Sequence, residues 1–353
     1  MKKNMLRAIK YLLALLPVLL LLYVFLPRSY DVPKMGNRDS TRYWSLATGS
    51  RIGYTFIPAK GERKPFPVIF LQGGPGGAVY DRNIRILAPL AESGFDIYLY
   101  DQVGSGYSGR LKNIEEYTVS RHRQDLEEII KKIGAERVVL IGQSWGAMLA
   151  TVFIAANPGM VEKLILTSPG PVLPVNPELN RVKPPDSIHL KVQLFSNRDA
   201  NEKTGSLRIR LISYSAAVFG IKLASDREAD DFLTYRTNET NKSTVCDTSR
   251  APEGEAGGGF YAQLMTVNSF GSVKDSRLVL KGSGVPVLIM KGQCDNQPWG
   301  VTAEYTELFH NHKLVVIPDA GHSISVEQPD LYFNTIRDFL TGNCGTVPAS
   351  KND

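Results

Sequence analysis

Residues 138–156 read VVLIGQSWGAMLATVFIAA, and this stretch decides the fold of the chain. An apolar run that is typical of a buried strand leads into GQSWG at residues 142–146, and a helix is predicted over residues 147–156. A serine between a strand and a helix occupies a sharp, strained turn, and glycines two positions away on each side let the two elements approach closely. The helix N-terminus directs free N–H groups towards that serine. The pattern G-x-S-x-G therefore predicts Ser144 as a nucleophile.

Apolar runs recur along the chain in alternation with helix-like segments. They lie at residues 68–71, 97–100, 164–166, 285–290 and 314–317. Because continuous apolar strands that alternate with helices are typical of a parallel sheet covered on both faces, we predict an α/β fold with a mostly parallel sheet.

Further elements follow from periodicity and turn residues. Apolar residues at helical spacing predict helices over residues 119–133, ended by Gly134, and over residues 327–341. Two strands are predicted at residues 43–48 and 51–57.

The alternation of strands and helices stops between residues 171 and 280, where amphipathic segments and polar loops replace it. We therefore predict a core of residues 41–170 and 281–345, interrupted by a mainly helical insertion at residues 171–280. Residues 29–40 are polar and are predicted to be a linker.

The basic excess of the chain lies at its N-terminus. Of 353 residues 43% are hydrophobic, and the net charge is +6. Five basic residues and no acid lie within residues 1–28, and the remaining 36 basic and 35 acidic residues leave a net charge of +1. A nearly neutral remainder offers no basic groove, so no nucleic-acid partner is predicted.

An apolar run, YLLALLPVLLLLYVFL at residues 11–26, follows the first basic residues. Because a basic segment before an apolar run is typical of a signal or an anchor, we predict that residues 1–28 are a membrane anchor or signal, with residues 9–27 in the membrane. The positive charges predict a single-pass signal anchor with the catalytic domain on the non-cytoplasmic side. The alternative is a secreted protein whose signal is cleaved.

Three cysteines, Cys246, Cys294 and Cys344, are too few for a disulfide scaffold, and their spacing matches no zinc site. One bridge could form in an oxidising compartment and would leave one thiol. No metal and no organic cofactor is predicted.

A serine nucleophile requires a base and an acid that orients the base. His322 follows the last predicted strand and is the candidate base, whereas His122 lies beside two arginines and is predicted to be solvated. Asp295 directly follows the strand at residues 285–290 and is the favoured acid. Asp319, three residues before His322, is the rival and is typical of a turn residue.

A glycine-rich turn, QGGPGG at residues 72–77, follows the strand at residues 68–71. It can direct a backbone N–H, that of Gly74, towards the nucleophile. Together with the N–H of Trp145 it would form an oxyanion hole. The alternative is a phosphate cradle, but no P-loop lysine follows it. A second turn, DQVGSG at residues 101–106, lacks the third glycine of a dinucleotide loop and is interpreted as structural.

These motifs, in this order, resemble those of the proline iminopeptidases, a group with the α/β-hydrolase fold. That group typically shows H-G-G-P-G, D-Q-R-G-x-G-x-S and G-G-S-W-G, which read QGGPG, DQVGSGYS and GQSWG here. The resemblance spans roughly residues 41–170 and 285–341. It implies an α/β-hydrolase core with residues 171–280 as an inserted cap. It also implies a catalytic triad and two oxyanion donors, at Ser144, Asp295, His322, Gly74 and Trp145.

The chain departs from that group in two motifs and in the insertion. Gln72 stands in place of a histidine, Val103 stands in place of an arginine, and the insertion contains no tryptophan. Cap carboxylates bind the substrate's amino group in that group, so Glu253 and Glu255 are candidate substrate-binding residues here, together with Gln72.

The resemblance implies a serine aminopeptidase that cleaves a small molecule or a short peptide and removes an N-terminal proline. A carboxylic ester hydrolase or lipase on the same fold is the alternative, and a non-catalytic binding protein is a third hypothesis.

Overall fold

A single sheet organises the chain. In residues 2–192 and 195–342, which a computed structural model describes, eight strands form this sheet. The strands are β1 (Arg42–Ser45), β2 (Arg51–Ile57), β3 (Val68–Leu71), β4 (Ile97–Tyr100), β5 (Val138–Gln143), β6 (Val161–Thr167), β7 (Val287–Gly292) and β8 (His312–Ile317). Their spatial order is β1-β2-β4-β3-β5-β6-β7-β8. Strands β3 to β8 pair in parallel, and β1 and β2 form an antiparallel edge. The predicted, mostly parallel sheet is confirmed.

Helices cover both faces of the sheet. The core helices are α2 (Asp81–Leu87), α3 (Val119–Ile133), α4 (Trp145–Ala156), α9 (Arg277–Lys281), α10 (Trp299–Leu308), α11 (Ile324–Glu327) and α12 (Pro329–Thr341). Alternate strand residues point to opposite faces. Thus Ile69 and Leu140 pack in one apolar layer with residues of α3, α4 and α10, while Phe70 and Ile141 pack in a second layer with residues of α2 and α12.

Helix boundaries follow local chemistry. Helix α3 spans the predicted residues 119–133 and ends at Gly134, which has a φ of 75°. The helix predicted over residues 327–341 instead begins at Pro329, because Gln328, with a φ of −131° and a ψ of 61°, is not helical and separates it from α11. Proline at the first helical position favours a start there.

Among the described residues, five α-helices lie between β6 and β7, and the first four of them belong to the inserted segment, which we call the cap. These four are α5 (Asn197–Thr204), α6 (Leu207–Phe219), α7 (Asp226–Thr240) and α8 (Phe260–Asn268). Apolar residues of α6, α7 and α8 pack in the same layer as α3 and α4. The exact domain boundaries stay predictions, and residue 345, the predicted end of the core, lies outside the described residues.

The N-terminal segment is a helix, α1 (Lys2–Phe25), with Pro17 inside it. Nowhere in residues 2–192 and 195–342 is a helix both long enough and apolar enough to cross a membrane. The predicted membrane anchor is therefore not supported. The apolar run has 16 residues, whereas a span needs about 20.

The segment predicted as a linker lies against the rest of the protein. Tyr30 packs on Phe232 and Tyr235 of α7, with ring centroids 5.5 and 5.6 Å away. The Tyr107 hydroxyl donates to the Gly36 carbonyl at 2.7 Å, and Arg38 donates to the Val79 carbonyl at 2.9 Å.

Candidate active site

Ser144 lies on the turn between β5 and α4. Its φ is 52° and its ψ is −113°, a conformation that non-glycine residues rarely adopt. A side chain at Gly142 would lie 2.6 Å from the Gly146 carbonyl oxygen, and one at Gly146 would overlap the Leu71 carbonyl. Glycine at both positions therefore permits the close approach of strand and helix that the sequence predicted. Such strain costs roughly 1–3 kcal/mol and is typical of functional sites.

His322 and Asp295 are hydrogen-bonded to each other. The Nδ1 atom of His322 lies 2.8 Å from Oδ1 of Asp295. If Nδ1 carries the proton and donates it, Nε2 is an acceptor. Both His322 and Ser144 line the same pocket. The structure thus brings the predicted base and acid together and places the predicted nucleophile in the same cavity.

The environment of Asp295 keeps it ionised. The carboxylate is buried, with Lys291 Nζ 3.3 Å from Oδ2 and the Gln297 N–H donating to Oδ1 at 3.0 Å. Burial raises the pKa of Asp295. The charges of His322 and Lys291 and the hydrogen bonds to the carboxylate outweigh burial and lower that pKa to about 2. The rival Asp319 points elsewhere: it has a φ of 49° and an exposed carboxylate 2.6 Å from Lys191 Nζ.

The glycine turn lies beside the nucleophile. Gly73 and Gly74 line the pocket, and a Cβ at Gly73 would lie 3.4 Å from the Ser144 Cβ. Gly74 has a φ of 125° and precedes a cis peptide bond to Pro75. Trp145 is buried, and as the first residue of α4 its backbone N–H has no partner within the helix.

Two carboxamides hold this glycine turn. Gln102 donates through Nε2 to the carbonyls of Gln72 and Gly73, at 2.9 Å each. Its Oε1 accepts from the Gly76 N–H and from Nε1 of Trp145, at 3.0 Å each. The same side chain thereby connects the glycine turn to the turn that carries Ser144. The sequence interpretation of residues 101–106 as structural did not reveal this connection.

Gln72, a candidate substrate-binding residue, is bonded within the protein. Its Nε2 donates to the Ala78 carbonyl at 2.8 Å and to Asn83 at 3.0 Å, and its Oε1 accepts from the Gly73 N–H at 3.0 Å. Gln72 lines the pocket, and its amide supports the turn. Its role in substrate binding stays a prediction.

The pocket has a volume of about 210 Å³ and few charges. Its charged lining residues are Arg82 and Glu255, which form an ion pair at 2.5 Å, and the titratable His322 lines it as well. Burial raises the pKa of Glu255, and the charge of Arg82 acts in the opposite direction. Glu253 is exposed and is not part of the lining. The cap contributes neutral side chains, among them Leu233, Thr234, Thr237 and Asn241.

Glu327 connects the cap to the loop of His322. Its buried carboxylate accepts from the backbone N–H groups of Cys246 and Asp247 at 2.9 and 3.2 Å, and from that of Gly321 at 2.7 Å. Cys246 also forms a disulfide with Cys294, the neighbour of Asp295. Cys344 lies outside the described residues.

His122 is buried, so the expectation of a solvated histidine was wrong. Its Nε2 lies 3.0 Å from the Thr266 hydroxyl of α8, and its ring meets that of Trp145 edge-on at 5.7 Å. Burial, with a smaller effect of the Arg121 charge, lowers the pKa of His122 to about 4. The side chain is therefore neutral at pH 7 and connects the core to the cap.

Comparison with known proteins agrees with this architecture. The family model described as "alpha/beta hydrolase fold" matches residues 67–329. A proline iminopeptidase of Heyndrickxia coagulans is 26% identical over 297 residues, which cover 83% of this chain and 96% of that protein. A proline iminopeptidase of Saccharolobus solfataricus is 25% identical over 83% of this chain and 89% of its own length.

Among solved structures, the esterase RhEst1 from Rhodococcus sp. ECU1013 superposes with a TM-score of 0.60 at 18% identity, over 86% of this chain and 98% of that one. At that identity the likeness concerns the fold. The family match covers most of the chain and includes the elements that carry Ser144, Asp295 and His322. The chain belongs to the alpha/beta hydrolase fold family.

Proposed function

We propose that this hydrolase acts through Ser144 as the nucleophile, His322 as the general base and Asp295 as the residue that orients His322. The observation that carries the proposal is that Ser144 and His322 line the same pocket, and that His322 is hydrogen-bonded to Asp295. In this mechanism the Ser144 hydroxyl attacks a carbonyl carbon, and His322 Nε2 takes its proton. The backbone N–H groups of Gly74 and Trp145 bind the oxyanion. His322 then protonates the leaving group, and water hydrolyses the acyl-enzyme.

Labelling with a fluorophosphonate tests the nucleophile. The wild-type protein is expected to be labelled on Ser144, and Ser144→Ala is expected to lose both the label and the hydrolytic activity. Ser325→Ala removes another hydroxyl from the same pocket and is expected to retain the label. A Ser144→Ala protein that still turns over substrate would exclude this mechanism.

We propose an aminopeptidase of the proline iminopeptidase type as the activity. Two proline iminopeptidases cover most of this chain in alignment, and Glu255 places a carboxylate in the pocket lining. A carboxylate in a partly buried site favours a substrate ammonium group. The volume of about 210 Å³ is below the range of about 300–1,000 Å³ of pockets for drug-sized ligands, which favours a short acyl group.

An ester hydrolase is the second candidate, because Arg82 neutralises Glu255 and the other cap side chains that line the pocket are uncharged. The test is a panel of prolyl arylamide, N-acetylprolyl arylamide, and p-nitrophenyl acetate and octanoate. The aminopeptidase proposal predicts turnover of the prolyl compound and a large loss when its amine is acetylated. Turnover of the esters alone would support the second candidate and exclude the first.

We also propose that the catalytic domain works outside the reducing cytosol, since a Cys246–Cys294 disulfide is typical of oxidising compartments. Alkylation without reductant, followed by mass spectrometry, is expected to leave these two cysteines unmodified in protein from its native host. Full alkylation of both would contradict this location. Cleavage of residues 1–28 stays a prediction.

A further inference from the structure

A second cavity lies within the cap, away from Ser144. It has a volume of about 310 Å³ and is lined by residues of α5, α6, α7 and α8. Its apolar lining includes Phe232, Phe260 and Ile209, and Asn201 and Ser213 add uncharged polar groups. Its lining shares no residue with the pocket that contains Ser144.

Two arginines line this cavity, Arg210 from α6 and Arg236 from α7. Neither forms an ion pair with a carboxylate in the part of the chain that the structure describes. Arg236 is partly buried, and Nη2 donates to the neutral Oε1 of Gln263. Burial lowers the pKa of Arg236, and no opposing charge offsets that burial. A guanidinium has five N–H donors, and the described residues use one of those on Arg236, which leaves others for a ligand.

Six of the seven acids on the surrounding helices pair with other cations, and the seventh, Asp199, accepts hydrogen bonds from Ser196. Glu228 pairs with Arg208 at 2.5 Å, Glu202 pairs with Arg198 at 2.8 Å, and Glu239 pairs with Lys203 at 2.8 Å. Thus the cap is not short of carboxylates, yet none of these pairs with the two arginines of the cavity. A half-buried cation normally has an anionic partner, so the environment of Arg236 favours an anion from outside the chain, and the exposed Arg210 adds a second positive charge at the same cavity.

We propose that this cavity binds a small amphiphilic anion, with a carboxylate or phosphate head held by Arg210 and Arg236 and an apolar body on Phe232 and Phe260. Arginine forks bind both kinds of oxyanion through paired hydrogen bonds. The volume of about 310 Å³ suits a ligand with a body of a few carbon atoms in addition to the head. This proposal concerns binding alone and does not depend on the role of Ser144.

Titration calorimetry on the full chain tests the proposal with octanoate and octyl phosphate as probes. Both are expected to bind one site, and the stronger of the two identifies the preferred head group. Inorganic phosphate has the anionic head without the apolar body, and 1-octanol has the apolar body without the anionic head. Each is expected to bind at least about tenfold more weakly than octyl phosphate. The proposal would be overturned if either control bound as tightly as octyl phosphate, or if neither octanoate nor octyl phosphate bound.

Substitutions locate the site. Arg210→Gln and Arg236→Gln are each expected to weaken binding of the preferred octyl anion about tenfold. Arg210 is exposed, so its replacement leaves folding intact even where that of Arg236 does not. Arg82→Gln changes the arginine of the pocket at Ser144 and is expected to leave this binding unchanged. Loss of binding with Arg82→Gln and not with Arg210→Gln would place the anion in the other pocket and refute the proposal.

Discussion

Replacing Gln102 tests whether one buried carboxamide positions the predicted oxyanion hole. Its side chain makes four hydrogen bonds of 2.9–3.0 Å, to the backbone of residues 72, 73 and 76 and to the indole of Trp145. Gln102→Ala removes all four and leaves two carbonyls and two N–H groups without these partners. At about 1 kcal/mol net for each bond, we expect the free energy of unfolding to fall by about 4 kcal/mol.

The effect on hydrolysis should exceed the effect of lost stability alone. Gly74 lies between Gly73 and Gly76, both held by Gln102, so its N–H loses its fixed direction in the variant. Complete removal of an oxyanion donor costs about 10²–10³ in kcat. A displaced donor retains part of that contribution, and we therefore expect a fall in kcat of about 10- to 100-fold with a smaller change in KM.

The assay measures kcat and KM on the fastest substrate of the panel, together with unfolding in urea. Leu340→Ala is the matched control, because it removes buried side-chain volume from α12, in an apolar layer that shares no residue with the lining of the pocket, at a cost of about 2–5 kcal/mol. Both variants are assayed at a temperature where they remain folded. A kcat of Gln102→Ala equal to that of Leu340→Ala would refute the positioning role.

Three further perturbations have defined outcomes. The pKa of His122 is lowered to about 4, so its contribution to stability is complete above pH 6.5 and is lost as pH falls towards 4. His122→Gln should therefore reduce the difference between the free energies of unfolding at pH 7 and pH 4 by about 3 kcal/mol, measured by urea unfolding at both pH values. Glu327→Gln weakens the charge-assisted hydrogen bonds that Glu327 accepts from the N–H groups of Cys246, Asp247 and Gly321, and should lower kcat about tenfold because the loop that carries His322 is held less firmly. An unchanged kcat would show that Glu327 contributes to stability alone. Reduction of the disulfide between Cys246 and Cys294, which are 48 residues apart, should lower the free energy of unfolding by about 4 kcal/mol, measured with and without dithiothreitol. The unfolding of a Cys246→Ser/Cys294→Ser protein should be insensitive to the reductant.

The parts of the site that follow from local sequence were predictable. The turn at Ser144 requires glycines two residues away on each side, and such a pattern is read directly from a short stretch of the sequence. Asp295 and His322 each follow a strand, and strands that are neighbours in a parallel sheet deliver their following residues to one edge.

Contacts between distant segments were not predictable in the same way. Gln102 forms hydrogen bonds to residues 26–43 positions away, and Glu327 to residues 80 and 81 positions away, so these partners meet only in the folded chain.

The burial of His122, in contrast, could have been predicted from the sequence. His122 lies three residues after Val119 and four before Leu126, on the apolar face of α3, and the arginines beside it point to the other sides.

The cap is attached to the core on both sides of the pocket, and this constrains what can enter. On the side of His322, the Ser323 N–H donates to the Thr244 carbonyl at 2.8 Å, close to the Cys246–Cys294 disulfide. On the side of the glycine turn, the Gly259 N–H donates to the Gly76 carbonyl at 2.8 Å. Because backbone bonds and a covalent bond hold both edges, enlargement of the pocket requires breaking contacts that also hold the loops of His322 and Gly74. A substrate that fits the existing volume of about 210 Å³ is therefore favoured over one that must displace the cap, which is a reason to expect the short acyl groups of the panel to react faster than the octanoyl ester.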